Sequence, residues 1–229
     1  MFKWLALAAL VFSVASVSGT VIAAKCASGA GVVLGSDSLD AQGPLVDNRF
    51  SEKVVRINPL TVLCAAAYNA DVRNLCSELR RVCVMHRADC DEVLGVDSVA
   101  HVARRLVHAQ FPEAHVVVVG CNNDDDSAAQ PPKFGIHEIL PGGTRIEQDI
   151  AVAGSGSKLI VSLINELWAD GPASAVADAS TTAAKLKRAL LAAMRSDPGS
   201  GGEVALWSLS LRQDAKSSTR RRVALAKVS

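Results

Sequence analysis

A run of four valines at residues 116–119, within the stretch Ala-His-Val-Val-Val-Val-Gly, constrains the fold of this 229-residue chain more than any other feature. β-branched residues favour extended strands. Because none of the four is polar, such a strand has no face to present to water and is covered on both sides. The run therefore predicts a sheet that is buried between other layers of the structure.

The predicted strands and helices follow each other in blocks. Strands are predicted where short apolar runs end at turn residues, and helices where apolar residues recur every three or four positions. The predicted strands are 21–24, 32–35, 53–57, 60–67, 114–120, 134–140, 149–153 and 204–211. The predicted helices begin at 69 and cover 98–110, 158–168 and 174–195. Paired helices between blocks of strands disfavour a doubly wound parallel sheet and predict an α+β fold, a four-layer αββα sandwich.

Composition and charge are those of one packed domain. Hydrophobic residues make up 49% of the chain, which is enough to bury a core. The 24 Lys and Arg residues are balanced by 23 Asp and Glu, and aromatic residues account for only 4% of the chain. Nucleic-acid binding is not expected, because it uses a basic surface or stacking aromatics. We predict one domain at 20–211, a leader at 1–19 and a basic C-terminal segment at 212–229.

The leader has the three-part form of a secretory signal peptide, with Lys3 first, an apolar run at 4–12 and small residues at 13–19. The apolar run is shorter than the roughly 20 residues that span a bilayer. A removable propeptide or an incorrectly predicted first exon would leave the same pattern. Cleavage after Gly19 would make Thr20 the first residue of a mature chain without a membrane segment.

The cysteine pattern argues against a disulfide framework. Cys76 and Cys83 are seven residues apart on one predicted helix, about 10 Å along its axis and too far for a disulfide. No Cys-x-x-Cys pair occurs, and the five histidines are not spaced as metal ligands beside any cysteine pair. We expect thiols, no metal and no other cofactor.

Four short motifs place polar side chains at the ends of predicted elements. Asp37, in Gly-Ser-Asp-Ser, follows one apolar strand, and Lys53 begins another. A lysine held beside a carboxylate serves as a charge partner, or as a base if burial lowers its pKa. Gly-Ser-Gly-Ser at 154–157 opens a helix whose N-terminus favours negative charge. Asp-Pro-Gly-Ser-Gly-Gly at 197–202 connects the last helix to the final strand, and each motif taken alone is also explained as an ordinary turn.

Together and in this order, these motifs resemble those of the β-type subunits of the proteasome core particle. The resemblance runs from about residue 19 to about residue 211 and is strongest to the catalytic, caspase-like β subunits. The fold of that family, the N-terminal nucleophile hydrolase fold, is also an αββα sandwich, so the resemblance agrees with the element order.

The resemblance implies a threonine-type endopeptidase that is made as a zymogen. Removal of the propeptide would leave Thr20 as the nucleophile, with its own α-amine as the base. Asp37 and Lys53 would form the charge pair beside it. Three further side chains would hold the amine and its water: Ser155, Asp197 and Ser200.

Two departures from the family pattern leave alternatives open. The segment before Asp37 is longer than usual, and an insertion of two residues, which preserves strand alternation, puts Gly19 rather than Thr20 at the nucleophile position. The substrate-binding positions also differ, because small apolar residues stand at all three of them: Ala41, Ala65 and Ala67. Acidic cleavage specificity is therefore not supported.

The expected function is that of a proteasome β subunit with threonine endopeptidase activity. The alternatives are a non-catalytic structural β subunit and, less favoured, a secreted N-terminal nucleophile hydrolase. The expected partners are other α and β subunits in stacked heptameric rings, together with peptide substrates. The expected location is cytoplasm and nucleus, or the secretory pathway if residues 1–19 are a true signal peptide. The arginines at 220–222 are expected to line a solvated strand edge, or to dock on a neighbouring subunit.

Overall fold

The computed structural model describes residues 19–26, 31–42, 45–122, 133–169, 178–214 and 217–228. The predicted leader up to residue 18, most of the segment between the predicted strands 114–120 and 134–140, and the predicted helix start at 174–177 lie outside the described residues.

The described residues form strands and helices in the block order that the sequence predicts. The strands are β1 (Thr20–Lys25), β2 (Gly31–Ser36), β3 (Asp40–Gln42), β4 (Leu45–Asn48), β5 (Val54–Asn58), β6 (Thr61–Ala66), β7 (His115–Cys121), β8 (Phe134–Ile139), β9 (Arg145–Glu147), β10 (Ile150–Gly154), β11 (Ala205–Asp214) and β12 (Ser217–Val228). The helices are α1 (Asn69–Cys90), α2 (Val96–Gln110), α3 (Ser157–Leu167) and α4 (Ala179–Ser196).

Within the described chain, two five-stranded sheets form the middle of the molecule. One has the order β10-β1-β2-β11-β12 and the other β5-β6-β7-β8-β9, while β3 and β4 pair separately. Neighbouring strands are antiparallel throughout. The two sheets face each other across one apolar cluster, and each carries a pair of helices on its outer face.

Side chains alternate between the two faces of a strand, so one sheet contributes to two apolar clusters. In β7, Val117 and Val119 point into the cluster between the sheets, whereas Val116 and Val118 pack under α1 and α2. All four valines are fully buried. The prediction of a strand covered on both faces is confirmed, and so is the αββα sandwich.

On the other sheet, β1 alternates in the same way. Val21 and Ala23 face the opposing sheet, while Ile22 and Ala24 pack against α3 and α4. The pairing of Thr20 with Gly154 places the start of β1 beside the turn at 154–157, and the Ser155 amide donates to the Gly19 carbonyl there.

The C-terminal segment is built into a sheet. Beyond residue 211, where the predicted domain ends, β11 continues to Asp214, and β12 pairs with it along most of its length as the edge strand. Val223 is 1% exposed and belongs to the cluster between the sheets. Residues 220–222, which were expected at a strand edge, lie in the edge strand β12, and Val223 of the same strand extends the core between the sheets.

All six cysteines are described, and none forms a disulfide, as predicted. Among the described residues, no helix combines the length and the apolar character needed to span a bilayer.

Candidate active site

The four motifs converge at the start of β1. Asp37 lies directly after β2, and Lys53 lies directly before β5. Ser155 stands between β10 and α3, while Asp197 and Ser200 lie in the turn from α4 to β11. Strand ends from both sheets therefore bring together five side chains that are far apart in sequence.

Asp37 and Lys53 form a buried ion pair, with 2.7 Å between Lys53 Nζ and Asp37 Oδ1. Asp37 is 0% exposed and Lys53 is 6% exposed. The carboxylate also accepts hydrogen bonds from the backbone amides of Thr20, Leu39 and Gly201, at 2.7, 3.3 and 2.8 Å. Burial lowers the pKa of the Lys53 ammonium, and the charge of Asp37 opposes that shift. A buried carboxylate with this many donors is the fixed anchor of the site.

A second network lies on the other side of β1. Ser155 Oγ and Ser200 Oγ both donate to Asp197 Oδ2, at 2.5 and 2.6 Å. The amide of Gly199 donates to the other carboxylate oxygen at 3.1 Å. The Asp197 carboxylate therefore fixes both hydroxyls and the turn that carries Ser200.

Gly19 lies between these two networks. Its amide donates to the Gly199 carbonyl at 2.7 Å, and its carbonyl accepts from the Ser155 amide at 3.0 Å. Its φ of +82° is in the left-handed region that favours glycine. A Cβ built on Gly19 would lie 1.6 Å from Lys53 Nζ and 2.7 Å from Asp37 Oδ1. The side-chain position of residue 19 is thus the place where the ion pair converges, and Lys53 occupies it.

Thr20 is fully buried as the first residue of β1, but its hydroxyl has a different neighbour. Thr20 Oγ1 lies 2.8 Å from Ser200 Oγ, and a Cβ built on Gly156 would be 2.4 Å from Thr20 Oγ1. Of the two registers that the sequence leaves open, the geometry favours the one with Gly19 beside Lys53. Thr20 as the nucleophile stays a prediction.

The three predicted substrate-binding alanines are buried. Ala41 is 6% exposed on β3. Ala65 and Ala67 belong to the apolar cluster beneath α1 and α2, and the Ala65 amide donates to the Lys53 carbonyl at 3.0 Å. Ala65 thus helps to hold the backbone of Lys53, while contact of these residues with a peptide stays a prediction.

His115 supports the site and was not identified from the sequence. Its Nδ1 accepts a hydrogen bond from the Gly154 amide at 3.2 Å, and its Nε2 lies 2.7 Å from Glu138 Oε1. Gly154 pairs with Thr20 across β10 and β1. The sequence does contain a signal for His115: it is a single polar residue next to four valines in a strand predicted to be buried, and a buried polar group requires a hydrogen-bond partner.

This fold and the convergence of an Asp–Lys pair with a Ser–Asp–Ser network at the start of β1 define the class of N-terminal nucleophile hydrolases. Residues 16–209 match the proteasome subunit family. The chain therefore belongs to the proteasome subunit family, and the resemblance inferred from its motifs is confirmed.

The relatives are β-type subunits. The chain is 28% identical over 152 residues to the probable proteasome subunit beta type-1 of Encephalitozoon cuniculi, covering 66% of this chain and 70% of that protein. It is 27% identical over 154 residues to proteasome subunit beta type-6 of Arabidopsis thaliana, covering 66% and 63%. The match to the proteasome subunit beta of Methanopyrus kandleri is 24% over 183 residues, covering 78% and 81%. Family membership supports a role in proteolysis.

Proposed function

We propose that this chain is a β-type subunit of a proteasome core particle that supports the particle without hydrolysing peptides at its own Asp37–Lys53 centre. The observation that carries the proposal is the glycine at the convergence point. A threonine-type nucleophile requires a hydroxyl within hydrogen-bond reach of its activating groups. Gly19 supplies no hydroxyl there, and the Lys53 ammonium fills the space.

The second candidate is a threonine endopeptidase with Thr20 as nucleophile after cleavage of the bond that precedes it. It is favoured by the other predicted site residues, because Asp37, Lys53 and the network of Ser155, Asp197 and Ser200 are all present. The contacts of Thr20 argue against it. Its nitrogen lies 2.7 Å from Asp37 Oδ1, whereas its hydroxyl lies 2.8 Å from Ser200 Oγ. The Asp37 carboxylate therefore contacts the backbone of Thr20 and not its hydroxyl.

Assembly and location are part of the proposal. The expected partners are other α and β subunits, as the names of the relatives suggest, and the caspase-like type stays a prediction. Cytoplasm and nucleus remain the proposed location. The six cysteines without a disulfide suit a reducing compartment.

The test uses the assembled particle purified from its source. Mass spectrometry gives the first residue of the mature chain, and a panel of fluorogenic peptides gives cleavage rates for the wild type and for Thr20→Ala. We expect a mature chain that does not begin at Thr20 and cleavage rates that Thr20→Ala leaves unchanged.

Thr20→Ser is the matched control, because it keeps the hydroxyl that contacts Ser200. A chain that begins at Thr20, together with cleavage of one peptide class lost in Thr20→Ala and retained in Thr20→Ser, would establish the endopeptidase instead.

A further inference from the structure

Three potential metal ligands from three elements meet on the outer side of the β5–β9 sheet. They are Asp97 in the first turn of α2, His137 in β8 and Glu147 in β9, which pairs directly with His137. Their ligand atoms all lie within 4.8 Å of one another. No spacing in the sequence indicates this cluster, because the residues are 40 and 10 positions apart and meet only in the fold.

The imidazole of His137 is buried and lacks hydrogen bonds within the described part of the chain. The residue is 1% exposed, and neither ring nitrogen has a hydrogen-bond partner among the described residues. Nε2 lies 3.1 Å from Asp97 Oδ1, but the contact does not have the geometry of a hydrogen bond. Buried polar atoms are rarely left without a partner, so the nitrogens of this imidazole are candidates for binding a ligand.

Glycine at position 135 keeps side-chain atoms away from Nε2. A Cβ built there would lie 3.1 Å from Nε2 and 3.0 Å from Val96 Cγ1. Asn122 Nδ2 donates to Asp97 Oδ2 at 2.6 Å, which orients the carboxylate and leaves Oδ1 facing the imidazole. Metal ligands are commonly held by outer hydrogen bonds of this kind.

We propose that Asp97, His137 and Glu147 bind one divalent metal ion, with zinc as the ion that best fits the donor set. Zinc accepts imidazole nitrogen and carboxylate oxygen, and two ligands of a tetrahedral zinc ion are about 3.4 Å apart. The 3.1 Å between Nε2 and Oδ1 is close to that separation. Glu147, on a short exposed strand, is the third protein ligand, and water is the fourth ligand.

The charges around the ring are mixed. Burial lowers the pKa of His137; Asp97 and Glu147 oppose this shift, and Arg145 and Lys25 add to it. Arg145 is the competitor for Asp97, because its Nη2 lies 3.9 Å from Oδ1 and its Nη1 donates to the Asp97 carbonyl. It is partly exposed, so it can move away from the carboxylate as the ion enters. The bound ion ties the start of α2 to the edge strand β9.

The proposal is tested by zinc titration of the full chain in a Cys90→Ser background, since Cys90 is the exposed thiol. After treatment with a chelator and its removal, calorimetry should give one zinc ion per chain with a Kd of about 1 μM or below. Glu147→Gln and Asp97→Asn should each weaken binding at least about tenfold, since loss of even an outer partner has this effect. Both side chains are exposed, so neither change removes core packing.

Glu166→Gln is the matched control, because Glu166 is an exposed carboxylate on α3 in the opposite outer layer. It should leave zinc affinity unchanged. Absence of saturable one-to-one binding, or an affinity in Glu147→Gln equal to that of Glu166→Gln, overturns the proposal. Both outcomes are independent of peptide cleavage, so they do not depend on the proposed function.

Discussion

Gly19 meets two requirements at once. Its φ of +82° suits glycine, and the space beside its Cα is filled by the end of Lys53. A side chain there would have to displace a buried ammonium from its carboxylate, and unpairing a buried charge is costly. The residue at this position therefore controls whether Lys53 and Asp37 meet as they do.

Gly142 provides a control for this argument, since its φ is +84° and nothing lies within 4 Å of its built Cβ. Gly142→Ala should lose only the strain of the left-handed backbone, about 1–2 kcal/mol. Gly19→Ala should lose at least about 1 kcal/mol more, because it also disturbs the ion pair. Urea unfolding of both variants measures the difference, and equal losses would contradict the overlap with Lys53.

The site residues show what the sequence could and could not predict. Asp37, Lys53 and Asp197 lie at element ends, where turn residues mark their positions, and the fold brings them together. The register of β1 was harder to predict, because the length of the segment before Asp37 left both Gly19 and Thr20 open. The two residues are one position apart and so present opposite faces of the strand: position 19 faces Lys53, whereas Thr20 Oγ1 faces Ser200.

Helices and strands with a clear hydrophobic periodicity were predicted best. The helices and buried strands match their predicted positions to within a few residues at most described ends. Strand β9 was missed because its three residues are all exposed and carry no alternation. For β12, only a solvated strand edge at the arginines 220–222 was predicted, because the charged residues of the segment indicate solvent, while Val223 is covered only when the two sheets face each other.

Helix α1 carries two buried cysteine side chains. Among its few buried residues are Cys76 and Cys83, which face the sheet. Burial raises the pKa of Cys76 from 9.0 to about 11, with Arg80 opposing the shift. The folded chain therefore keeps this proton at pH values where the unfolded chain releases it.

The consequence is an alkaline loss of stability. Below pH 9 the contribution of Cys76 is fully present, and it decreases as the pH rises toward 11, by up to about 1.4 kcal/mol per unit. Urea unfolding at about pH 8 and pH 10 should show a smaller loss for Cys76→Ala than for the wild type. Cys90→Ala, which removes an exposed thiol of the same helix, should behave like the wild type; if it matched Cys76→Ala, burial would not be the cause.

At the scale of the whole molecule, β12 joins the two sheets. The Val223 amide donates to the Pro59 carbonyl at 2.8 Å, and Arg56 Nη1 donates to the Val223 carbonyl at 2.9 Å. Pro59 and Arg56 belong to the β5–β6 region of the opposite sheet, and the Val223 side chain lies in the cluster between the sheets. The C-terminal strand is therefore part of the sandwich and contributes to its stability.

Val223→Ala should accordingly lower the free energy of unfolding of the entire domain by about 2 kcal/mol, from two lost methyl groups and the cavity they leave. Val84→Ala is the same chemical change at a position that is 68% exposed on α1, and it should have little effect. Urea unfolding followed both by tryptophan fluorescence and by circular dichroism measures both variants. If β12 were an independent tail, the two variants would be equally stable; because it closes the core, the whole transition should shift for Val223→Ala alone, with both probes changing together.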